Sequence, residues 1–250
     1  MPIDRRAAAE PSAAVARVVA VAALSFESEA LRKPLRHPSV DVVVAQSGPG
    51  ATRAAAAARA AVADGAAALV SWGVAGGLDA ALAPGTVVAP ARVLHGDRWL
   101  EADAAWRAAL VAALGPHFTV QEGGLLSADE VLRTPADKSL AAARCGAVAA
   151  DMESGGVAAV AAEAGLPFVT VRVVLDALDD ELPADAERWI DERGNRRLAP
   201  ALDAALRPAR WAALLGLARR YRVAAGVLDR LARVLLPAGF LFSPRVAKFG

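Results

Sequence analysis

The chain has 250 residues and a formal net charge of +1, with 56% of residues hydrophobic and 22% charged. That composition excludes disorder throughout and suits one large α/β domain. No apolar run reaches about 18 residues, so no membrane-spanning helix is expected; the single cysteine, Cys145, excludes an intramolecular disulfide, and three scattered histidines, His37, His95 and His117, lack metal-ligand spacing.

Residues 1–16 read as a flexible N-terminus. Arg5 and Arg6 precede an Ala-rich stretch, but Glu10, Pro11 and Arg17 interrupt it, which argues against a secretion signal and for a cytoplasmic protein. Residues 18–24 and 40–45 are continuous β-branched and apolar runs, the pattern of strands buried on both faces. A turn, Ser47-Gly48-Pro49-Gly50, leads into an Ala-rich helix over 51–63, and residues 67–74 form a third strand ending in a glycine-rich turn, Gly73-Val74-Ala75-Gly76-Gly77. Short strands are expected at 86–89, 92–94, 118–121 and 147–150, and helices at 103–114, 135–144 and 153–164. Residues 167–174 make the clearest central strand, a polar loop covers 176–185, and 198–236 reads as helical. Strands alternating with helices predict a single α/β domain: a mixed, mainly parallel β-sheet flanked by helices, with an extra C-terminal helical tail.

Polar residues break the apolar pattern at three strand ends, where ligands gather in α/β sheets. Glu27, in Ser25-Phe26-Glu27-Ser28-Glu29, either projects into that crevice or caps a helix N-terminus, where an acid is favoured. The glycines at 73, 76 and 77 either let a ligand approach the backbone or make a tight turn; the spacing is neither a dinucleotide fingerprint nor a Walker loop. Glu153, in Asp151-Met152-Glu153-Ser154-Gly155, and Asp176, closing Arg172-Val173-Val174-Leu175-Asp176, form a pair of acids at neighbouring buried elements. One carboxylate can accept hydrogen bonds from a ribose diol, and the other, raised in pKa by burial, can donate a proton. The alternative is that Glu153 caps the following helix and Asp176 opens a solvated loop.

Taken together, these segments resemble the purine nucleoside phosphorylase and 5′-methylthioadenosine/S-adenosylhomocysteine nucleosidase superfamily. The resemblance spans about residues 18–206. It is carried by Val148-Ala149-Ala150-Asp151-Met152-Glu153-Ser154, by 171–176, and by the order of Ser47–Gly50, the glycine turn and Ser127-Ala128-Asp129. The phrase Ser71-Trp72-Gly73-Val74-Ala75-Gly76-Gly77-Leu78-Asp79, together with the Arg-rich tail, is most similar to the hopanoid-associated branch. That branch implies adenosylhopane as substrate and adenine as leaving group. Methylthioadenosine or S-adenosylhomocysteine cleavage, phosphorolysis of a purine nucleoside, and a catalytically silent nucleoside-binding protein are the alternatives.

The resemblance implies a role for each residue. Glu153 grips the 2′ and 3′ hydroxyls and Met152 packs on the sugar. Asp176 is the general acid at N7 of the purine. Val131 and Leu132 flank the adenine, and Val74, Ala75 and Gly76 line the sugar and base. Phosphorylases of the superfamily hold phosphate with arginines, whereas the corresponding loops here offer Glu27 and, near the glycine turn, Ser71, Trp72 and Val74. Glu27 suits activation of a water, so hydrolysis is expected, with Arg32, Arg53 or an arginine from a second subunit the candidates if phosphate binds instead. The resemblance implies a homodimer with a small-molecule nucleoside partner, no nucleic acid, no metal and no cofactor, phosphate being a co-substrate only in a phosphorolytic reaction. Leu24, Phe26, Trp72 and Trp99 are candidate walls for the 5′ substituent, with a core role as the alternative. Cys145 reads as a packed residue, and His95 and His117 as surface or loop residues.

Residues 201–250 hold nine basic residues against two acidic ones. The expected organisation is a nucleoside phosphorylase-like domain at 17–221 and a basic amphipathic tail at 222–250. On a helical wheel Leu214, Leu217, Tyr221, Ala224, Leu228, Leu231 and Leu235 fall on one side and Arg219, Arg222, Arg230 and Arg233 on the other. Such a helix either lies in a membrane interface, as a peripheral contact, or packs its apolar face on the protein.

Overall fold

The computed structural model describes residues 15–33, 37–183, 186–195, 197 and 211–242. The expected flexible stretch 1–14, the helical reading of 198–210 and the chain end 243–250 lie outside the described residues.

Among the described residues ten strands form one sheet: β1 (Ala16–Ala22), β2 (Val40–Gln46), β3 (Ala68–Gly77), β4 (Val87–Val88), β5 (Arg92–His95), β6 (Arg98–Glu101), β7 (Val120–Gln121), β8 (Gly124–Ser127), β9 (Ala149–Asp151) and β10 (Phe168–Asp176). The helices are α1 (Ser25–Leu31), α2 (Ala51–Ala63), α3 (Ala104–Leu114), α4 (Pro135–Cys145), α5 (Ser154–Ala164) and α6 (Trp211–Leu235). Among the described residues six of the nine strand pairings are parallel, and β3 with β9, β4 with β10 and β5 with β6 are antiparallel. The fold is the mixed α/β sheet expected from the sequence.

Alternating side chains feed two cores. Val18, Ala20 and Ala22 of β1 join Trp72, Val171, Val173 and residues of α1, α3 and α6 on one face, while Val19 and Val21 join Leu69, Val174, α2 and α5 on the other. The alanines of α2 serve close approach: a Cβ on Gly156 of α5 would stand 2.1 Å from the Ala51 carbonyl oxygen. Pro135 opens α4 behind a Thr134 cap, and Gly146 and Gly165 end α4 and α5 in the left-handed conformation.

Three expectations change. The glycine-rich segment is no turn: β3 continues through it to Gly77, because β10 pairs alongside it as far as Gly76. The segment after β1 is a short helix, and β6 and β8 add strands. The third change is the tail. α6 runs unbroken across residue 221, and the apolar side read from the wheel is turned inward: Leu217 is buried, and Ala224, Val227, Leu228, Leu231 and Leu235 are buried in the first core. Beyond it Phe240 is fully buried, stacks on Trp72 at 5.8 Å and accepts the Trp106 indole N–H at 2.8 Å on its carbonyl. Burying that stripe against the sheet removes it from water, so it is not available to a membrane. The arginines Arg219, Arg222, Arg230 and Arg233 stay exposed.

Candidate active site

The site is assembled on one edge of β3. β1 runs parallel to it over Ala68–Trp72, and β9 runs antiparallel over Gly76 and Gly77. The two strands therefore end pointing at each other, with Gly73, Val74 and Ala75 facing the gap between them. The chain leaving β1 supplies Glu27, and the chain leaving β9 supplies Asp151, Met152 and Glu153.

Glu27 fills part of that gap. Its Oε2 accepts the amides of Ala23 and Leu24 at 3.0 and 2.8 Å, and its Oε1 accepts the Val74 amide at 2.9 Å. Both readings of this residue hold: it caps the start of α1 and also satisfies a sheet amide of β3 left open between β1 and β9. The Trp72 indole N–H donates to the Glu27 carbonyl at 3.1 Å. Glu27 is 2% exposed. Burial raises its pKa, against Arg172 and the three backbone donors.

Glu153 does not cap α5. Its Oε1 accepts the Gly50 amide at 2.9 Å, which ties it to the Ser47–Gly50 loop. Asp151 takes the capping role, accepting the Ser154 amide and hydroxyl. Burial pushes the Glu153 carboxyl up to about 7, Asp151 adds to the rise and Arg172 opposes it.

Arg172 joins the acids. It sits in β10 opposite Gly73 and crosses β3 over that glycine. Its Nη2 lies 2.6 Å from Asp151 Oδ2 and 3.9 Å from Glu153 Oε2, and it donates to Ser71 Oγ at 2.7 Å and Ser154 Oγ at 3.1 Å. Burial disfavours its charge, but Asp151, Glu153 and Glu27 together raise its pKa. Three acids thus share one guanidinium, and burial favours the protonated forms of two of them, Glu27 and Glu153.

Asp176 ends β10, beside Gly76, after a slip of register between Val174 and Asp176. A Cβ on Gly76 would stand 3.4 Å from Asp176 Oδ2. It is itself shielded from solvent, 3% exposed, and pairs with Lys138 of α4 at 2.5 Å. Burial raises its pKa while Lys138 opposes the rise.

Of the remaining predicted residues, Val74 and Gly76 are half-buried and Ala75 is buried in β3, while Met152 is half-buried between the two acids of its own segment. Val131 and Leu132 are half-buried in the link from β8 to α4, and Leu132 packs on Leu78 and Ala150. Trp72 is fully buried, Leu24 is buried and Phe26 packs edge-on to Tyr221, so these are core contacts rather than an open wall. Trp99 packs under the Arg92 guanidinium and against Gly124. Arg32 is exposed at the end of α1, and Arg53 faces Glu192 at 3.9 Å and donates to the Pro49 carbonyl. His117 is exposed and Cys145 is half-buried, its thiol 3.1 Å from the Ala141 carbonyl. His95 departs from its surface reading: it ends β5 opposite Ser127 with Nδ1 shielded against Gly155. Among the described residues no cluster of His, Cys, Asp and Glu is arranged to hold a metal ion.

Lys138 and the roles of Arg172 and Asp151 were not legible in the sequence. Arg172 carried a signal, a lone charge inside a buried apolar strand, which demands a partner. Lys138 carried none, because a lysine in an amphipathic helix is ordinary.

The sequence profile of the phosphorylase superfamily matches residues 35–207. The chain belongs to the phosphorylase superfamily. It is an enzyme of the nucleosidase or nucleoside phosphorylase kind. Among curated protein sequences none matches. Solved structures with the same fold include the 5′-methylthioadenosine/S-adenosylhomocysteine nucleosidase of Neisseria meningitidis in complex with methylthio-immucillin-A, at TM-score 0.69 and 18% identity over 89% of this chain and 99% of that one. The S-adenosylhomocysteine nucleosidase of Streptococcus pyogenes follows at TM-score 0.68 and 17% identity, covering 93% and 98%. The futalosine hydrolase of Helicobacter pylori gives 0.64 and 17%, covering 88% and 98%. At these identities the likeness to this superfamily member is one of fold.

Proposed function

We propose that the chain hydrolyses the N-glycosidic bond of a 5′-substituted adenosine, releasing adenine, and that adenosylhopane is its substrate. The observation that carries hydrolysis is the hydrogen-bonding of Glu27. The amides of Ala23, Leu24 and Val74, the donors that a phosphate between β1 and β3 would need, are already taken by its carboxylate. Asp151 lies beside it, and the Nη2 of Arg172 is engaged by Asp151, Ser71 and Ser154.

In this reading Asp176 donates a proton to purine N7 while the C1′–N9 bond breaks, so adenine leaves neutral and the sugar takes on oxocarbenium character. Glu153 holds the 2′ and 3′ hydroxyls, and its ionised form favours the positive sugar. Water attacks C1′ and gives its proton to Glu27, which has carboxylate lone pairs beyond the three in use. Met152 packs on the ribose, Val131 and Leu132 flank the base, and Val74, Ala75 and Gly76 line the sugar. Each cycle leaves Asp176 ionised and Glu27 protonated, and solvent exchange restores both. No cofactor enters these steps.

Support for adenosylhopane lies in the sequence from Ser71 to Asp79 and in the arginines exposed along α6, which would face the anionic headgroups of a membrane holding a lipid-borne substrate. A homodimer is proposed on the same resemblance. Methylthioadenosine and S-adenosylhomocysteine are the competing substrates. The test is product analysis with adenosylhopane and methylthioadenosine, with and without phosphate. The expected products are adenine and a free sugar, at a rate indifferent to phosphate and strongly reduced in Glu27→Gln. A sugar 1-phosphate with saturable phosphate dependence overturns hydrolysis, and preference for methylthioadenosine overturns the substrate.

A further inference from the structure

We infer that Lys138 is the positioning residue of the acid: it fixes the Asp176 carboxyl through Oδ2 and stabilises the carboxylate left when the proton passes to the leaving base. This rests on the assignment of Asp176 as the general acid.

Lys138 is 1% exposed in the first turn of α4, a helix whose other side chains are exposed or half-buried. Its ammonium forms an ion pair with Asp176 Oδ2 at 2.5 Å and donates hydrogen bonds to the Ala177 carbonyl at 2.6 Å and the Asp180 carbonyl at 2.8 Å. Two backbone carbonyls thus anchor the amine against the one carboxylate oxygen it faces. A buried charge is retained at a cost unless paired, and the pairing here is directed at one oxygen of one acid.

The ion pair at Oδ2 leaves Oδ1 as the oxygen that carries the transferable proton. When that proton moves from Oδ1 to N7, the electron pair of the C1′–N9 bond goes to the purine and a negative charge appears on Asp176. Lys138 is in place for that charge before it forms, which is where fixed electrostatics assist a reaction. The other charged groups facing Asp176 are Asp180 of the same loop and Arg220 of α6, which pair with each other; its register partner on β3 is Gly76. The Asp180 carboxylate also accepts the Ala177 amide at 2.8 Å. The loop after the acid is thus held from α4 and α6 together.

The test compares wild type, Lys138→Met, Asp176→Asn and the double variant for adenine release from a soluble 5′-substituted adenosine, as kcat and KM against pH. Lys138→Met is expected to lower kcat about ten- to hundred-fold with little change in KM, and to move the high-pH limb of kcat upward, because Asp176 loses the cation that favours its ionised form. In the Asp176→Asn background the same change is expected to cost only a few-fold, since the group it acts through is gone. Lys138→Arg, which keeps the charge, should leave the limb near its wild-type position. Where Lys138→Met does not fold, Lys138→Gln, which keeps donors for the two carbonyls but no charge, carries the test. An equal loss in both backgrounds, or a loss with the limb unmoved, overturns the inference while leaving the acid assignment standing. An Asp176→Asn rate within a few-fold of wild type overturns the acid assignment itself.

Discussion

Arg172 and Gly73 are cross-strand partners on β10 and β3, and the arginine reaches Asp151 only by passing over the glycine. A Cβ at Gly73 would stand 2.3 Å from Arg172 Nη1 and 2.5 Å from Glu27 Oε1. The glycine makes room for the enzyme's own side chains rather than for a ligand. Gly73→Ala should therefore displace both groups. The expected result is a folded protein destabilised by about 1–3 kcal/mol, as for overpacking, with turnover reduced at least about a hundred-fold. Thermal denaturation and kinetics check it; near-normal turnover would mean that the Arg172 cluster does not govern the chemistry.

Asp176→Asn keeps the shape of the acid and removes its proton. Turnover should fall by about a hundred- to ten-thousand-fold, the usual contribution of a general acid, while the nucleoside still binds. Calorimetric titration with a slowly cleaved analogue measures the binding, and single-turnover kinetics measures the chemistry.

Glu153 holds its proton up to about 7 against an ordinary value of 4.5, chiefly because it is buried. The folded chain then binds more protons than the unfolded chain between those values. Stability from this group is complete below the unfolded pKa and is lost as pH rises through the folded one. Relative to Glu153→Gln, the wild type should lose up to about 3 kcal/mol between about pH 4.5 and 7. Urea denaturation of both proteins across that window tests the sign; a difference that grows with pH would contradict it. The same variant should bind substrate less well, and a 2′,3′-dideoxy substrate should cost the wild type far more than the variant.

The inward face of α6 makes residues 223–242 part of the core. Leu228→Ala should destabilise by about 2–5 kcal/mol, and deletion of 223–250 should unfold the protein. The outward face is a separate matter. Arg219→Glu with Arg222→Glu should leave activity on soluble methylthioadenosine unchanged but weaken binding to anionic vesicles, with a difference that fades at high salt. Equal vesicle binding by wild type and variant would end the proposal of membrane contact.

Much of the architecture was legible because it rests on local pattern. The runs at 18–24, 40–45 and 167–174 are apolar on both faces, as a doubly covered sheet requires, and α2 begins and ends where its alanines do. The wheel of α6 sorted inside from outside correctly, but a wheel cannot say whether protein or lipid covers the apolar side, since both satisfy the same hydrophobic stripe. The glycine segment was misread as a turn because glycine marks turns locally, whereas here β10 imposes an extended path on it. Glu27, Glu153 and Asp176 stood out as acids at the ends of buried segments. Their partners did not, because Gly50, Val74, Lys138 and Arg172 are brought to them by sheet order and by the meeting of β1 and β9 on one edge of β3. Periodicity records which way a side chain faces along its own element. Which side chain it meets, and therefore whether a carboxyl is held by an amide, an ammonium or a guanidinium, is decided by contacts between elements far apart in the chain.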